Sequence, residues 1–198
     1  MASPGLRLCC GLLAVAVLGG LTHVRGGMAL DLPGHALFAS LSAFALLGPS
    51  RPGETVEDSG RPSMRSIATA LPVLFLLQIL LGAACRYQHL GYMPHILGAL
   101  AAALVAYLAG FFALTQFPGH QAIRRASLFL IAAITAQVLL GILALVERIS
   151  SNGSVFPLVH LAAGALTLAS GVVFALQIRR HVRTPRAAVS ESRSALAQ

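Results

Sequence analysis

The stretch Leu77–Leu108 reads LQILLGAACRYQHLGYMPHILGALAAALVAYL, and its pattern is the main indication of the fold. Two apolar runs flank a short polar bend, which predicts two helices joined as a hairpin. Gln78 lies deep within the first run, and His95 lies near the start of the second. Placing either polar side chain in hydrocarbon costs free energy, so each is expected to have a structural or chemical role.

The composition of the whole chain predicts an integral membrane protein. Of its 198 residues, 57% are hydrophobic and only 10% are charged, and the mean hydropathy is +0.80. Soluble domains of this size carry about a quarter charged residues. The net charge is +8, but the arginines stand in loops and tails between apolar segments, and no basic stripe carries interleaved aromatic residues. This distribution argues against nucleic acid as a partner. The expected partner is membrane lipid.

The three cysteines exclude two kinds of cofactor chemistry. Cys9 and Cys10 lie inside an apolar run, and Cys85 stands alone, so the chain has no CxxC or CxxCH spacing. Covalent c-type haem and structural zinc both need such spacing. We interpret all three cysteines as small apolar filling residues.

Six apolar segments are long enough, or nearly so, to cross a bilayer, which takes roughly 20 residues. The sequence therefore predicts an all-α polytopic membrane bundle with spans at 7–24, 33–49, 66–86, 92–115, 126–146 and 157–178. The first span is expected to stay uncleaved, because LTHVRGG interrupts the small-residue site of a signal peptide. The expected parts are an N-terminal two-span hairpin, a cytoplasmic linker, a four-helix bundle and a basic tail, at 1–49, 50–65, 66–180 and 181–198.

The placement of the arginines predicts the orientation of the spans. The basic stretches 51–65, 124–125 and 179–186 fall on one side of the membrane if segment 33–49 crosses it. Basic loops face the cytoplasm, so both termini are expected there, in a cytoplasmic membrane. If 33–49 does not cross, five spans remain and the N-terminus lies outside, while the last four spans keep their orientation.

A hairpin motif is repeated along the chain, and the repeat brings two histidines into equivalent positions. One copy reads QILLG and then MPHILGAL, and the other reads QVLLG and then FPLVHLAAGAL. His95 and His160 each follow a proline suited to the first turn of a helix, so both lie near the outer face at similar depth. Gln78 and Gln137 are also equivalent, and we expect them to form hydrogen bonds between helices. A fainter third copy, LPGHALFAS, contains His35.

Paired histidines inside a helical bundle are a common way to hold a cofactor, and neutral imidazole is a usual axial ligand of haem iron. Small residues follow both histidines and leave room for a flat ligand or for close helix packing. The sequence thus predicts that His95 and His160 ligate one haem iron. A bundle without cofactor, in which both histidines only pack, stays open as the alternative.

These motifs, in this order, resemble the haem A synthases of the CtaA type. The match is best over 66–180, where the chain reads Q-x-x-L-G-A-x-x-R from Gln78, H-[IL]-x-G-A from His95, Q-V-L-L-G, and V-H-x-x-x-G-A-L around His160. More weakly, GGLTHVRGGMALDLP resembles the first helix and loop of that family. Family members have eight spans in two four-helix halves, each with an outer histidine pair. One half binds b-type haem, and the other takes haem O and oxidises it towards haem A.

The resemblance implies a site and several partners. His95 and His160 correspond to the axial ligands of haem b in the cofactor half, and Arg86 to an arginine that could hold a haem propionate. Haem O and haem A become the expected substrate and product. A homo-oligomer, or a protein that supplies haem O or assembles the oxidase, becomes the expected partner.

Departures from the family pattern keep two functions open. The helix of His35 opens PGHALFAS, without the glutamate and arginine that the substrate half of the family carries, and six spans are predicted instead of eight. One function is oxidation of haem O by an oligomer. The other is a non-catalytic protein that carries haem or electrons during oxidase assembly. His35 either pairs with a histidine of another subunit or lies unpaired at the membrane interface.

Overall fold

A computed structural model describes residues 55–58, 60, 62–151 and 153–183 of the chain. Its elements are β1 (Val56–Glu57), α1 (Met64–Arg86), α2 (Tyr92–Gln116), α3 (Gln121–Ser150), α4 (Val155–His181) and β2 (Val182–Arg183). The predicted spans 7–24 and 33–49, together with His35, lie outside the described residues.

The described part of the chain is helical, apart from the two short strands, and its four helices are each long and apolar enough to cross a membrane. They contain 23 to 30 residues, and at about 1.5 Å per residue each exceeds the roughly 30 Å of bilayer hydrocarbon. The four predicted spans from 66 onward all fall inside these helices, which confirms a helical bundle whose helices are long and apolar enough to cross a membrane. The count of six spans stays a prediction.

The four helices run alternately up and down and pack as a closed ring. Each of them contacts its two neighbours: α1 packs on α2, α2 on α3, α3 on α4, and α4 on α1. The helices α1 and α3, and likewise α2 and α4, are diagonal partners across this ring. The ends of α1 and α3 and the starts of α2 and α4 form what we call the histidine end, and the opposite end is the arginine end.

Small side chains face the interior of the bundle, while large apolar ones face outward. On α2 the buried residues are alanines and one glycine, whereas leucine and phenylalanine at spacings of three and four are more than half exposed. The outward positions are Leu97, Leu100, Leu104, Leu108 and Phe111. This pattern is the reverse of a soluble helix, and it suits a surface that lies against lipid while the backbones of the helices approach closely.

The core is centred on α4 and lies towards the arginine end. Phe174, Leu168 and Ile178 of α4 are fully or almost fully buried. A Cβ atom at Gly171 would lie 2.7 Å from the ring of Phe75, so this glycine lets α1 and α4 pack closely. The α4 helix is therefore fixed along its length by α1 and α3, and this packing also fixes the position of His160.

The segment before α1 packs against the end of α4. The strand β1 pairs in parallel with β2, with Val56 opposite Val182. Asp58 is 5% exposed, and its carboxylate accepts hydrogen bonds from the backbone amides of Gly60 and Met64. The part of the predicted linker that the structure describes is thus packed against the bundle, a contact that no motif in the sequence predicts.

Candidate functional site

His95 and His160 come together at the histidine end, from diagonally opposite helices. His95 lies in the first turn of α2, and His160 lies one and a half turns into α4. Their ring centroids are 6.3 Å apart, with an angle of 80° between the ring planes. Both residues are half-buried. Since α2 and α4 are not neighbours in the ring, the two imidazoles bridge the centre of the bundle.

Each imidazole packs against a glycine of the neighbouring helix in its own hairpin. A Cβ atom at Gly82 would lie 2.9 Å from Cε1 of His95, and one at Gly141 would lie 3.0 Å from Cε1 of His160. Real Cβ atoms almost never approach as closely as at Gly82, and the distance at Gly141 is tighter than nine in ten real Cβ contacts. The two glycines therefore form equivalent recesses that admit the histidine rings. Both glycines end the repeated motifs QILLG and QVLLG, but the sequence did not predict that a histidine packs against them.

Gln78 joins α1 to α2 through the same histidine. Its Nε2 donates to the backbone oxygen of His95 at 2.8 Å and lies 2.9 Å from His95 Nδ1. The expected hydrogen bond between helices is therefore present, and it orients the ring. Because Nε2 of the glutamine is a donor, the Nδ1 atom accepts in this arrangement and the neutral ring carries its proton on its own Nε2.

The second hairpin repeats the arrangement but makes fewer hydrogen bonds. Gln137 lies beside Gly164, where a Cβ atom would be 3.3 Å from its side-chain nitrogen. Within the described part of the chain, Gln137 Oε1, Gln78 Oε1 and His160 Nδ1 are buried polar atoms without a hydrogen-bond partner. Such atoms usually have a partner in a native protein, so three of them around one histidine pair point to a group or water molecule that binds there.

The donor set of this site fits a haem iron: two neutral imidazoles, whose ring centroids are 6.3 Å apart, would hold such a group between them. Gln78 would then be the hydrogen-bond partner of the other ring nitrogen of His95. A ligating histidine commonly has such a partner for its other nitrogen.

Arg86 ends α1 on the same stripe of the helix as Gln78 and Gly82, because these residues are four apart. Its Nη2 donates to the hydroxyl of Tyr87 at 2.8 Å, and its guanidinium lies 4.9 Å from the centroid of that ring. Arg86 therefore lies one turn beyond the Gly82 recess, at the mouth of the histidine end. That position suits the predicted contact with a propionate, whose carboxylate matches a planar guanidinium.

The remaining thiol and imidazole groups lie apart from the histidine pair. Cys85 is a free, half-buried thiol within α1. At the arginine end, His120 and His181 are in contact, with ring centroids 4.4 Å apart, although the sequence assigned neither of them a role. The described residues contain no cluster of three or more histidine, cysteine, aspartate or glutamate side chains that could hold a metal ion. The candidate site thus consists of a histidine pair.

Comparison with known proteins found no protein-family model, no curated protein and no solved structure that matches this chain.

Proposed function

We propose that this chain is a haem A synthase-like integral membrane protein, which binds b-type haem through His95 and His160 and takes part in haem A biosynthesis. The observation that carries the proposal is the meeting of these two imidazoles across the centre of the bundle, 6.3 Å apart, each seated on a glycine. Packing alone would not require two equivalent recesses for two polar rings in an apolar bundle.

The residues of the site would divide the work as follows. His95 and His160 ligate the iron, Gln78 orients the ring of His95, and Gly82 and Gly141 leave space for the two rings. Arg86 holds a propionate at the mouth of the bundle. A bound b haem supplies a one-electron couple, and the protein contributes ligation, orientation and tuning of the potential.

With both imidazoles engaged as ligands, a haem held here would supply electron transfer rather than bind an oxidant. Oxidation of haem O would then need a second site, either in an oligomer or with a partner protein that supplies haem O. The expectation that His35 belongs to such a site concerns residues outside the described structure.

A non-catalytic haem or electron carrier is the second candidate, and the position of the carboxylates favours it. Among the described residues, Glu57 and Asp58 lie at the arginine end, while Glu147 at the histidine end accepts from the backbone amides of Val155 and Phe156. No described carboxylate is therefore free to take part in chemistry beside the histidine pair. Only the enzyme requires haem O or haem A to be present.

The first prediction concerns haem content. The protein purified in detergent should show the spectrum of low-spin, bis-histidine b haem, and His95→Ala and His160→Ala should each lose most of it. His89→Ala is the matched control, because His89 is exposed near the same end of the bundle and makes no ring contact with the pair. Oxidised and reduced absorption spectra, with pyridine haemochrome analysis, measure the outcome.

Each outcome of this experiment separates the candidates. Haem O or haem A in the extract supports the enzyme, whereas b haem alone supports the carrier. Full haem content in His95→Ala would refute the ligand assignment. A colourless protein, even after expression with ample haem, would leave only the bundle without cofactor.

A further inference from the structure

A groove of about 650 Å³ lies between α1 and α4 at the arginine end, on the outer surface of the bundle. Its lining changes from polar to apolar residues along α1. The residues that line it include Arg65, Ser66, Thr69, Val73, Leu74 and Arg179. The groove is far from the histidine pair, which lies at the other end of the same helices, so its role does not depend on the proposed function.

The polar and apolar parts of the groove follow the depth expected in a bilayer. Arg65 lies in the first turn of α1 and Arg179 in the last turn of α4, so both guanidinium groups lie where the spans leave the hydrocarbon. Val73 lies eight residues after Arg65, about 12 Å deeper along the helix axis. Its side chain is 56% exposed. The groove thus has a cationic mouth and an apolar floor.

The positive charges of the two arginines at the mouth are not neutralised by an ion pair with another described residue. No hydrogen bond or ion pair joins the guanidinium of Arg65 or Arg179 to another residue in the described ranges. Of the two described carboxylates at this end, Asp58 is buried and both of its oxygens accept from backbone amides, and Glu57 forms no ion pair with either arginine. Arg124, Arg125 and Arg183 add further positive charge at this end, so its local field favours an anion.

The hydroxyl groups in the groove are already partly engaged, which makes the guanidinium groups the main donors. Thr69 Oγ1 donates to the backbone oxygen of Arg65 at 2.7 Å, and Ser66 Oγ shares a hydrogen bond with Ser63 Oγ at 2.9 Å. An incoming ligand would therefore be recognised by its negative charge and by its ability to accept paired hydrogen bonds from a planar guanidinium.

From this chemistry we infer that the groove between α1 and α4 is a binding site for an anionic phospholipid of the surrounding leaflet. The phosphate lies between Arg65 and Arg179, and an acyl chain runs over Ala70, Val73 and Leu74. Basic pockets between spanning helices are known to hold anionic headgroups, and the apolar floor here is continuous with the outer surface of the bundle. A free anion would use the mouth of the groove but not its floor.

The test measures which lipids stay bound to the full-length protein. Native mass spectrometry of the detergent-purified chain, titrated with phosphatidylglycerol or phosphatidylcholine, should show preferential retention of phosphatidylglycerol. The double variant R65Q/R179Q should weaken phosphatidylglycerol binding by at least about tenfold, because each arginine near the headgroups contributes substantially to such binding. R125Q is the matched control, since Arg125 is exposed at the same end and does not line the groove.

A second double variant separates loss of charge from loss of fold. R65K/R179K keeps both charges but loses the paired guanidinium donors, so it should bind phosphatidylglycerol more weakly than the unaltered protein and still prefer it to phosphatidylcholine. Loss of that preference in R65Q/R179Q alone excludes a simple folding defect. Equal retention of the two lipids by the unaltered protein, or unchanged binding in R65Q/R179Q, would overturn the inference. Equally tight binding of inorganic phosphate, with no preference for the lipid, would also overturn it, because the apolar floor would then contribute nothing.

Discussion

At the scale of single residues, each ring of the histidine pair fits because the residue opposite it is a glycine, which has no side chain. Gly82 and Gly141 provide the space, and the hydrogen bonds of Gln78 fix the ring of His95. A methyl group in either recess would occupy the volume of an imidazole edge. Cores that receive one extra methyl group respond with shifted side chains or backbone, at a cost of about 1–3 kcal/mol.

We therefore expect Gly82→Ala to displace the ring of His95, to lower the free energy of unfolding by about 1–3 kcal/mol and to reduce haem content. Gly141→Ala should act in the same direction on His160, because a Cβ atom there would lie 3.0 Å from its ring. Thermal unfolding in detergent reports the stability, and the absorption spectrum reports the haem.

Gly91→Ala is the control for these variants. It also lies at the histidine end, but a Cβ atom there would meet no other atom within 4 Å. If Gly82→Ala behaved like Gly91→Ala in both measurements, the recess would not constrain His95. The unfolding measurement alone decides this point even if the purified protein holds no haem.

At the scale of elements, the start of α1 depends on a residue that lies before the helix. The carboxylate of Asp58 accepts from the amide of Met64, the first residue of α1, while the backbone amide of Asp58 donates to Arg183 at 2.9 Å. A negative charge at a helix N-terminus is favourable because the terminal amides are unpaired and carry partial positive charge. Asp58 thus connects the start of the first described helix with the end of the last one.

Removing this carboxylate should loosen the start of α1, while the backbone hydrogen bond from Asp58 to Arg183 stays in place. We expect Asp58→Ala to lower the free energy of unfolding by about 1–2 kcal/mol, the usual cost of losing a capping side chain. Glu57→Ala should change it little, because Glu57 is exposed on the same two-residue strand. Thermal unfolding of both variants in one detergent measures the difference, and equal midpoints for the two would show that the cap contributes no stability.

At the scale of the whole molecule, the ring of helices holds its histidine end and its arginine end about one membrane thickness apart. The histidine pair lies at one end, and most of the described arginines lie at the other. Loops rich in arginine remain in the cytoplasm during insertion. The expected orientation therefore places the histidine end on the outer side.

Labelling of single cysteines tests this orientation. In a background with Cys9, Cys10 and Cys85 changed to alanine, Ser151→Cys at the histidine end should react with a membrane-impermeant maleimide on intact cells. Gly119→Cys, in the exposed loop at the arginine end, should react only after the cells are opened. The reverse pattern would invert the orientation, and with it the side from which haem would reach the site.

Much of this architecture was predictable because it rests on local properties of the chain. Apolar length predicted the four described helices, and the repeated Pro-then-His motif placed His95 and His160 at similar depth. The role of Gly82 was not predictable, because a glycine in an apolar helix looks the same whether it faces lipid, a helix or an imidazole. The contact between His120 and His181 was also not predicted, because 61 residues separate the two histidines in sequence and only the packing of the helices brings them together.

The sequence by itself determined that this chain forms apolar helices in hairpins and that two histidines repeat at the same end, because length, hydropathy and proline position act locally. Only the tertiary structure decided that these histidines meet across a diagonal of the bundle, each in a glycine recess. It also decided that Arg65 and Arg179 share one groove. Both results depend on which helices are neighbours in the ring, and that choice follows from how the small and large side chains of all four helices pack together.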